Sequence, residues 1–385
     1  QLVQVLRDAD TSDLARGRIA TLLPEMGPEG IRPMAVALQS EDAQLVEVLA
    51  GALAQTPYPH AAPRLREALA RDDLPARTRQ IVRRALVACA GEQAPGLSVG
   101  EVFRRTGERY YYRLESLRPP AAADTANVWF WRNRRLEYTP VPRPIFCYVY
   151  AMRYARLALQ HEPGLGGAVP LWIAGYFQRE LHLGEGAEDP LAPPHRARYY
   201  ALASGAGYLQ DVLHRALRDG QTQMALRGIR ELARTSGAQS LERTGPGGDV
   251  APLLAALYYP DRRVRLLAAL SLANALPREP FAGADRVLYV LQGALGLSGG
   301  KTAIVALTGT EASNRATAAL RQAGYEVVAG TDPDRALDAA RQGHGLDLLV
   351  VGGTRRALPV LRALRSDPVL SMTPAVVVGG SEMAE

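Results

Sequence analysis

The chain has 385 residues, of which 47% are hydrophobic, 22% charged and 6% aromatic, the balance of an ordinary globular protein with room for two to four modules. Forty-five basic residues against 39 acidic ones give a formal charge of +6, and every basic residue except Lys301 is an arginine. No apolar run is long enough to suggest a transmembrane helix, and Cys89, Cys147 and the six histidines fall into no metal or disulfide pattern.

The first residues, QLVQVLRDAD, have neither the basic start nor the apolar middle of a signal peptide. They read as mid-helix already, the pattern expected of a fragment whose N-terminus lies elsewhere. Residues 1–92 then run as short amphipathic helices: LARGRIATLLPEM, GIRPMAVALQS, AQLVEVLAGALAQ, APRLREALARDD and ARTRQIVRRALVACAG. Apolar positions recur at helical spacing, as in Leu45, Val48, Leu49 and Ala52, and GPEG, SED and TPYPH separate the segments. None of these helices can bury its stripe alone, which is the logic of an α-solenoid.

Residues 101–160 differ in composition. They hold 11 arginines against five acids, a local excess of six, and 12 of the chain's 24 aromatic residues. NVWFWRNRRLEYTPVP alternates as two strands around a polar turn, a β-hairpin pattern, and Pro140, Pro142 and Pro144 are expected to end regular structure after it. The interleaving of guanidinium groups with rings marks a candidate interaction surface at Arg109, Tyr110, Arg113, Trp129, Trp131, Arg132, Arg134 and Arg135. The competing reading puts the rings in a local core with the arginines reaching outward. AMRYARLALQHEPGLGGAVPLWIAGYFQRE follows, and with Ala158, Leu159, Pro163, Ala168, Ala174 and Tyr176 it resembles the junction of two tetratricopeptide repeats.

Helical rhythm resumes from about residue 198 to Ser236, and a loop, GAQSLERTGPGGD, leads to YYPDRRVRLLAALSLANALP. In this segment Asp261, Val264, Arg265, Ala268, Ala269 and Leu272 fill the positions of the second helix of a HEAT repeat, which the segment resembles. Asp261 is placed to cap the helix, and the alanines allow close approach of a neighbour.

GLSGGKTAIVALTG looks at first like a phosphate-binding loop. The spacing G-x-x-x-x-G-K-[ST] would need glycine at position 295, which is Leu295, and a strand-like run follows the lysine where a helix is required. The glycines therefore read as a linker. Beyond it the rhythm becomes strand, helix, strand: TAIVAL, ASNRATAALRQAG, YEVV, a helix with Asp332 and Pro333 at its start, LDLLVV, RALPVLRALRSDP and AVVV. Repeated β-α units with continuously apolar strands imply a parallel sheet.

This segment, from Lys301 onward, resembles the receiver domain of bacterial response regulators without its last strand and helix. The resemblance implies a phosphorylated aspartate after the third strand, acids after the first and a hydroxyl after the fourth. Gly352 and Gly379 stand at two of those places, and no acid follows the first strand before Glu311. The segment is thus a degenerate receiver.

The expected fold class is mostly α, an α-solenoid of HEAT- and TPR-like hairpins followed by a small flavodoxin-like α/β domain with a parallel sheet. The expected divisions are 1–92, 93–197, 198–295 and 301–385. No catalytic constellation, cofactor site or metal site is expected. The leading expectation is a bacterial, non-catalytic scaffold with protein partners in a larger complex. A signalling adaptor using the receiver-like domain is one alternative, and a nucleic-acid-binding solenoid is another. A receiver-like domain suggests the cytoplasm, with a periplasmic or envelope location as the alternative.

Overall fold

The computed structural model describes residues 2–7, 12–235, 251–275, 284–295, 301–307, 309–330, 346–352, 357–366, 370 and 373–378. They are mostly helical, with one two-stranded hairpin and one four-stranded parallel sheet. The chain divides into two compact units, residues 1–203 and 204–385. This differs from the division expected at residue 92. Val102, Trp131 and Leu136 pack into the same core as Leu49 and Leu53, so the arginine-rich stretch belongs with the first helices.

In the first unit, helices α1 (Leu2–Arg7), α2 (Asp13–Leu22), α3 (Gly27–Ala37), α4 (Ala43–Gln55), α5 (Ala62–Leu69) and α6 (Ala76–Ala90) follow one another. The stripe Leu45, Leu49, Leu53 of α4 is buried with Val82, Leu86 and Cys89 of α6. The α4 helix begins where the Asp42 carboxylate accepts the N–H groups of Gln44 and Leu45, at 2.9 and 3.2 Å. Arginines tie neighbouring turns together: Arg71 donates to the Ser40 carbonyl at 2.6 Å and Arg66 to the Leu97 carbonyl at 2.7 Å.

Helix α7 (Val99–Tyr111) has no counterpart in the expected elements. Its signal is the Ser-x-x-Glu spacing of a capping box, and the Ser98 hydroxyl accepts the Glu101 N–H at 3.1 Å. Strands β1 (Thr125–Arg132) and β2 (Arg135–Pro142) form the expected hairpin, paired antiparallel from Thr125–Pro142 to Arg132–Arg135. Asn133 and Arg134 turn the chain with φ of 50° and 59°, the signature of a type I′ turn, whose twist matches that of the strands.

The prolines do not act as expected. Pro140 and Pro142 lie within β2, and Pro144 sits in the first turn of helix α8 (Arg143–His161). Bonded pairs recur every second residue from the turn-flanking Arg132–Arg135 pair, and Asn127–Pro140 and Thr125–Pro142 fall between them, so their backbone polar groups point away from the other strand. A missing N–H therefore removes no ladder bond there, and a proline in a helix's first turn removes none either. Helices α9 (Ala168–His182) and α10 (Ala197–Ser204) complete the unit, and a bidentate, buried Arg179–Asp189 pair fastens the segment after α9.

In the second unit, helices α11 (Ala206–Arg218), α12 (Thr222–Thr235), α13 (Pro252–Ala255), α14 (Arg262–Asn274) and α15 (Ala284–Leu295) precede the sheet. Asp261 caps α14 as expected, accepting the Arg263 N–H at 2.8 Å, and Val264, Ala268, Ala269 and Leu272 face inward. The remaining elements are β3 (Lys301–Ala306), α16 (Thr310–Gln322), β4 (Tyr325–Ala329), β5 (Leu348–Gly352), α17 (Ala357–Ser366) and β6 (Ala375–Val378). All strand pairs are parallel, in the order β4-β3-β5-β6.

Val305 and Val350 pack towards Ala312, Ala316 and Leu320 of α16, while Ile304, Leu349 and Val351 pack towards Val360 and Leu364 of α17. The two central strands, β3 and β5, thus bury both faces, as their continuous apolar sequences require, while the edge strands β4 and β6 leave Val328 and Val376–Val378 exposed. Lys301 and Thr302 open a strand, so the phosphate-loop geometry is absent at those two residues. The helix expected after Asp332, the loop at 237–249 and the linker glycines lie outside the described residues.

Candidate interaction site

The hairpin is fixed to the helices through its main chain. Trp129 occupies an outward-pointing backbone position of β1, and its N–H donates to the Tyr150 hydroxyl at 3.3 Å while its carbonyl accepts from Arg153. Both partners belong to α8. The side chains of the two hairpin faces then border separate clefts. Asn127, Trp129, Leu136 and Tyr138 border one, and Val128, Phe130 and Arg132 border the other.

The second cleft, of about 330 Å³, is arginine-rich. The guanidinium groups of Arg132 and Arg153 lie 4.3 and 4.5 Å from the centre of the Phe130 ring, one residue on the hairpin and one on α8. Arg156, exposed one turn further along α8, and Arg179 of α9 complete the lining. Arg179 is satisfied by Asp189, and Arg132 stands 3.9 Å from Glu137. No acid lines the cleft among the described residues, and Arg153 and Arg156 form no ion pair there. Burial, followed by the nearby charges of Arg64 and Arg156, draws the Arg153 guanidinium below its ordinary value, against the opposing influence of the Tyr150 phenol. The arrangement is a fixed positive face stacked on an aromatic ring, the chemistry that receives carboxylates or phosphates.

The residues singled out in the sequence do not form one surface. Tyr110 is fully buried, as are Phe103, Phe146, Tyr150 and Tyr154, so the core reading holds for these rings. Tyr110, Tyr150 and Tyr154 surround His60, whose Nδ1 lies 2.6 Å from the Tyr110 hydroxyl and 3.1 Å from that of Tyr154. Burial, followed by the charges of Arg32, Arg153 and Arg64, holds the His60 pKa well below its ordinary value, and burial lifts the Tyr110 phenol well above its own. Tyr110 and His60 thus share a hydrogen bond between two uncharged groups. The Phe146, Tyr150, Tyr154 spacing of four residues was visible in the sequence as a helical stripe; the meeting with His60, about ninety residues away, had no local signal.

Arg109 is exposed on α7, and Arg113 follows it with φ of 52°, its carbonyl accepting from Arg118 at 2.6 Å. Neither lines a hairpin cleft. Trp131 packs half-buried against the helical core. Arg134 is exposed and pairs with Glu41 at 2.6 Å, and Arg135 is exposed beside the turn. Trp129 and Arg132 alone of the eight enter the clefts, where they join Phe130, Arg153, Arg156 and Arg179, none of which had been singled out.

In the second unit, Gly352 ends β5, and a Cβ there would meet only Leu307 Cδ2 at 3.8 Å, an ordinary contact. The glycine is thus not required by anything packed against it. Gly379 lies outside the described residues. Among the described residues no group of His, Cys, Asp and Glu is placed to hold a metal ion, and no helix is long and apolar enough to cross a membrane. Cys89 and Cys147 are free and buried, and burial pushes the Cys147 thiol up to about 11.

No protein-family model matches the chain, and a search of curated proteins finds no significant match.

Proposed function

We propose that the chain is a non-catalytic scaffold, a protein-interaction subunit that receives an acidic segment of a partner on the arginine face of its hairpin. The observation that carries this reading is the Phe130 cleft, where two guanidinium groups stack on one ring and the lining contains no acid. Aromatic rings and arginines held on rigid elements are the groups that dominate protein interfaces. The groups suited to acid–base or nucleophilic work support the same reading. His60 is buried and neutral, His161 is paired with Glu67 at 3.0 Å, and both thiols are buried with raised pKa values.

The α/β segment we read as a pseudo-receiver of the flavodoxin-like class. Its four parallel strands in the order β4-β3-β5-β6 suit that class, and Gly352 stands at the strand end where the phosphoryl acceptor would be. A glycine cannot supply the carboxylate that phosphoryl transfer needs.

The test is purification from a nuclease-treated native extract, beside a variant carrying Arg132→Ala and Arg156→Ala, which leaves Arg153 to anchor the hairpin. A stoichiometric protein partner present with the native chain and lost with the folded variant is the expected result. Recovery of the same partner with both chains, or recovery of nucleic acid alone before nuclease treatment, overturns it. In the second case the steep salt dependence of phosphate contacts identifies the alternative surface.

A further inference from the structure

The other hairpin face borders a different kind of cleft. It has a volume of about 970 Å³, near the upper end of the roughly 300–1,000 Å³ range of small-molecule sites. Its walls are apolar and aromatic: Leu23 and Met26 on one side, Trp129 and Tyr138 of the hairpin, Phe146 of α8, and a run of prolines and alanines after Leu117. Among the described residues, Arg32 is the one charged residue that lines it, and no acid does.

Arg32 lies on α3 with 6% of its surface exposed. One Nη donates to the Leu117 carbonyl at 3.0 Å, and the guanidinium carbon stands 4.9 Å from the centre of the Phe146 ring. Its Nε is buried and has no acceptor. The groups that act on its charge are the phenols of Tyr110, Tyr150 and Tyr58, and no carboxylate is among them. An arginine does not lose its proton on burial, and a buried charge is ordinarily paired, because the loss of hydration is otherwise uncompensated. Here the Leu117 carbonyl, the Phe146 ring and the Tyr110 hydroxyl partner the guanidinium, and the Nε is left without an acceptor.

We propose that this cleft binds a small apolar monocarboxylic acid, with the carboxylate on Arg32 and the hydrocarbon body between Met26 and the Trp129–Tyr138 wall. A single guanidinium matches a single carboxylate in both charge and fork geometry. A phosphate monoester would bring a second charge into a lining that has no further cation, and a neutral amphiphile would leave the guanidinium as it is. Trp129 and Tyr138 face each other across the strand pair with ring centres 5.0 Å apart and planes tilted by 53°, an angled aromatic wall against which an acyl or aryl group can pack.

The experiment is a titration of the intact chain with decanoate below its micellar range, followed by calorimetry and tryptophan fluorescence, with decanol and decyl phosphate as parallel probes. The expected result is saturable one-to-one binding of decanoate, tighter than that of either other probe. In Arg32→Met, which replaces the guanidinium with an apolar side chain of similar length, decanoate affinity falls about ten- to a hundredfold while that of decanol is retained. A second variant, Tyr138→Glu, places a repelling charge at an exposed wall position and weakens decanoate without disturbing the core. Absence of saturable decanoate binding, equal affinity for decanol, or unchanged affinity in folded Arg32→Met overturns the assignment. If Arg32→Met does not fold, unchanged affinity in Tyr138→Glu does so.

Discussion

The His60 cluster makes acid sensitivity a calculable property of the first unit. In the folded chain, burial and three arginines hold the imidazole pKa well below 6.5, whereas the unfolded chain titrates near that value. The folded state therefore stays neutral at a pH where the unfolded state takes up a proton. His60's contribution to stability is present above the unfolded pKa and is lost as pH falls through it, down to the folded value. The slope reaches about 1.4 kcal/mol per pH unit. Between about pH 7 and pH 5 the loss from this one group is up to about 2 kcal/mol, the limit set by the unfolded pKa. All three tryptophans, Trp129, Trp131 and Trp172, belong to the first unit, so their fluorescence reports its unfolding. Urea titrations at both pH values on the native chain and on His60→Gln measure the difference directly. The variant is less stable at both pH values but loses up to about 2 kcal/mol less between them. An equal loss in the two proteins would mean that native His60 is protonated in place, and would refute the reasoning.

Three further outcomes follow from the packing. Leu49→Ala, at a fully buried position of α4, costs about 2–5 kcal/mol in the same fluorescence-monitored titration, and a cost below about 1 kcal/mol would show that the site collapses around the missing atoms. At the hairpin turn, where φ is 50°, Asn133→Val costs about 1–2 kcal/mol, because a β-branched residue resists the left-handed region; an unchanged urea midpoint would contradict the assigned turn. Ellman's reagent leaves Cys89 and Cys147 unmodified in the folded chain and reacts with both in denaturant, whereas rapid native reaction would show the thiols to be accessible.

Local chemistry made much of the fold legible. The hairpin could be read because Trp129 and Trp131 alternate with Val128 and Phe130 ahead of an Asn-Arg turn, and period-two alternation is a property of the strand itself. Asp261 could be read as a cap because capping acts within three residues. The β-α alternation after residue 300 was visible for the same reason, since strands buried on both faces must be apolar throughout.

The site was less legible. Arginine and aromatic content marked the right sixty residues, but composition cannot say which way a side chain faces. Tyr110 lies on the buried stripe of α7 with Phe103 and Thr106, while Arg109, one residue earlier, lies on the exposed side. Arg153 and Arg156 look like an ordinary solvent-facing pair on a helix until the hairpin is laid over them. The burial of Arg32 depends on Leu117 and Phe146, about 85 and 114 positions further along the chain, and no spacing rule spans such distances.

The attachment of the hairpin through Trp129 has a consequence for variation. Its main-chain anchors use the Trp129 amide and carbonyl, groups that every residue except proline carries, so these bonds do not depend on which side chain stands at 129, while Trp131 and Leu136 add anchoring through their packing on the helices. The positions that border the two clefts can change in size, charge or polarity while Tyr150 and Arg153 keep the ribbon where it is. A library randomised at Asn127, Phe130, Arg132 and Tyr138 would sample new binding preferences on an unchanged frame, whereas one randomised at Tyr150 and Arg153 would sample the position of the frame itself.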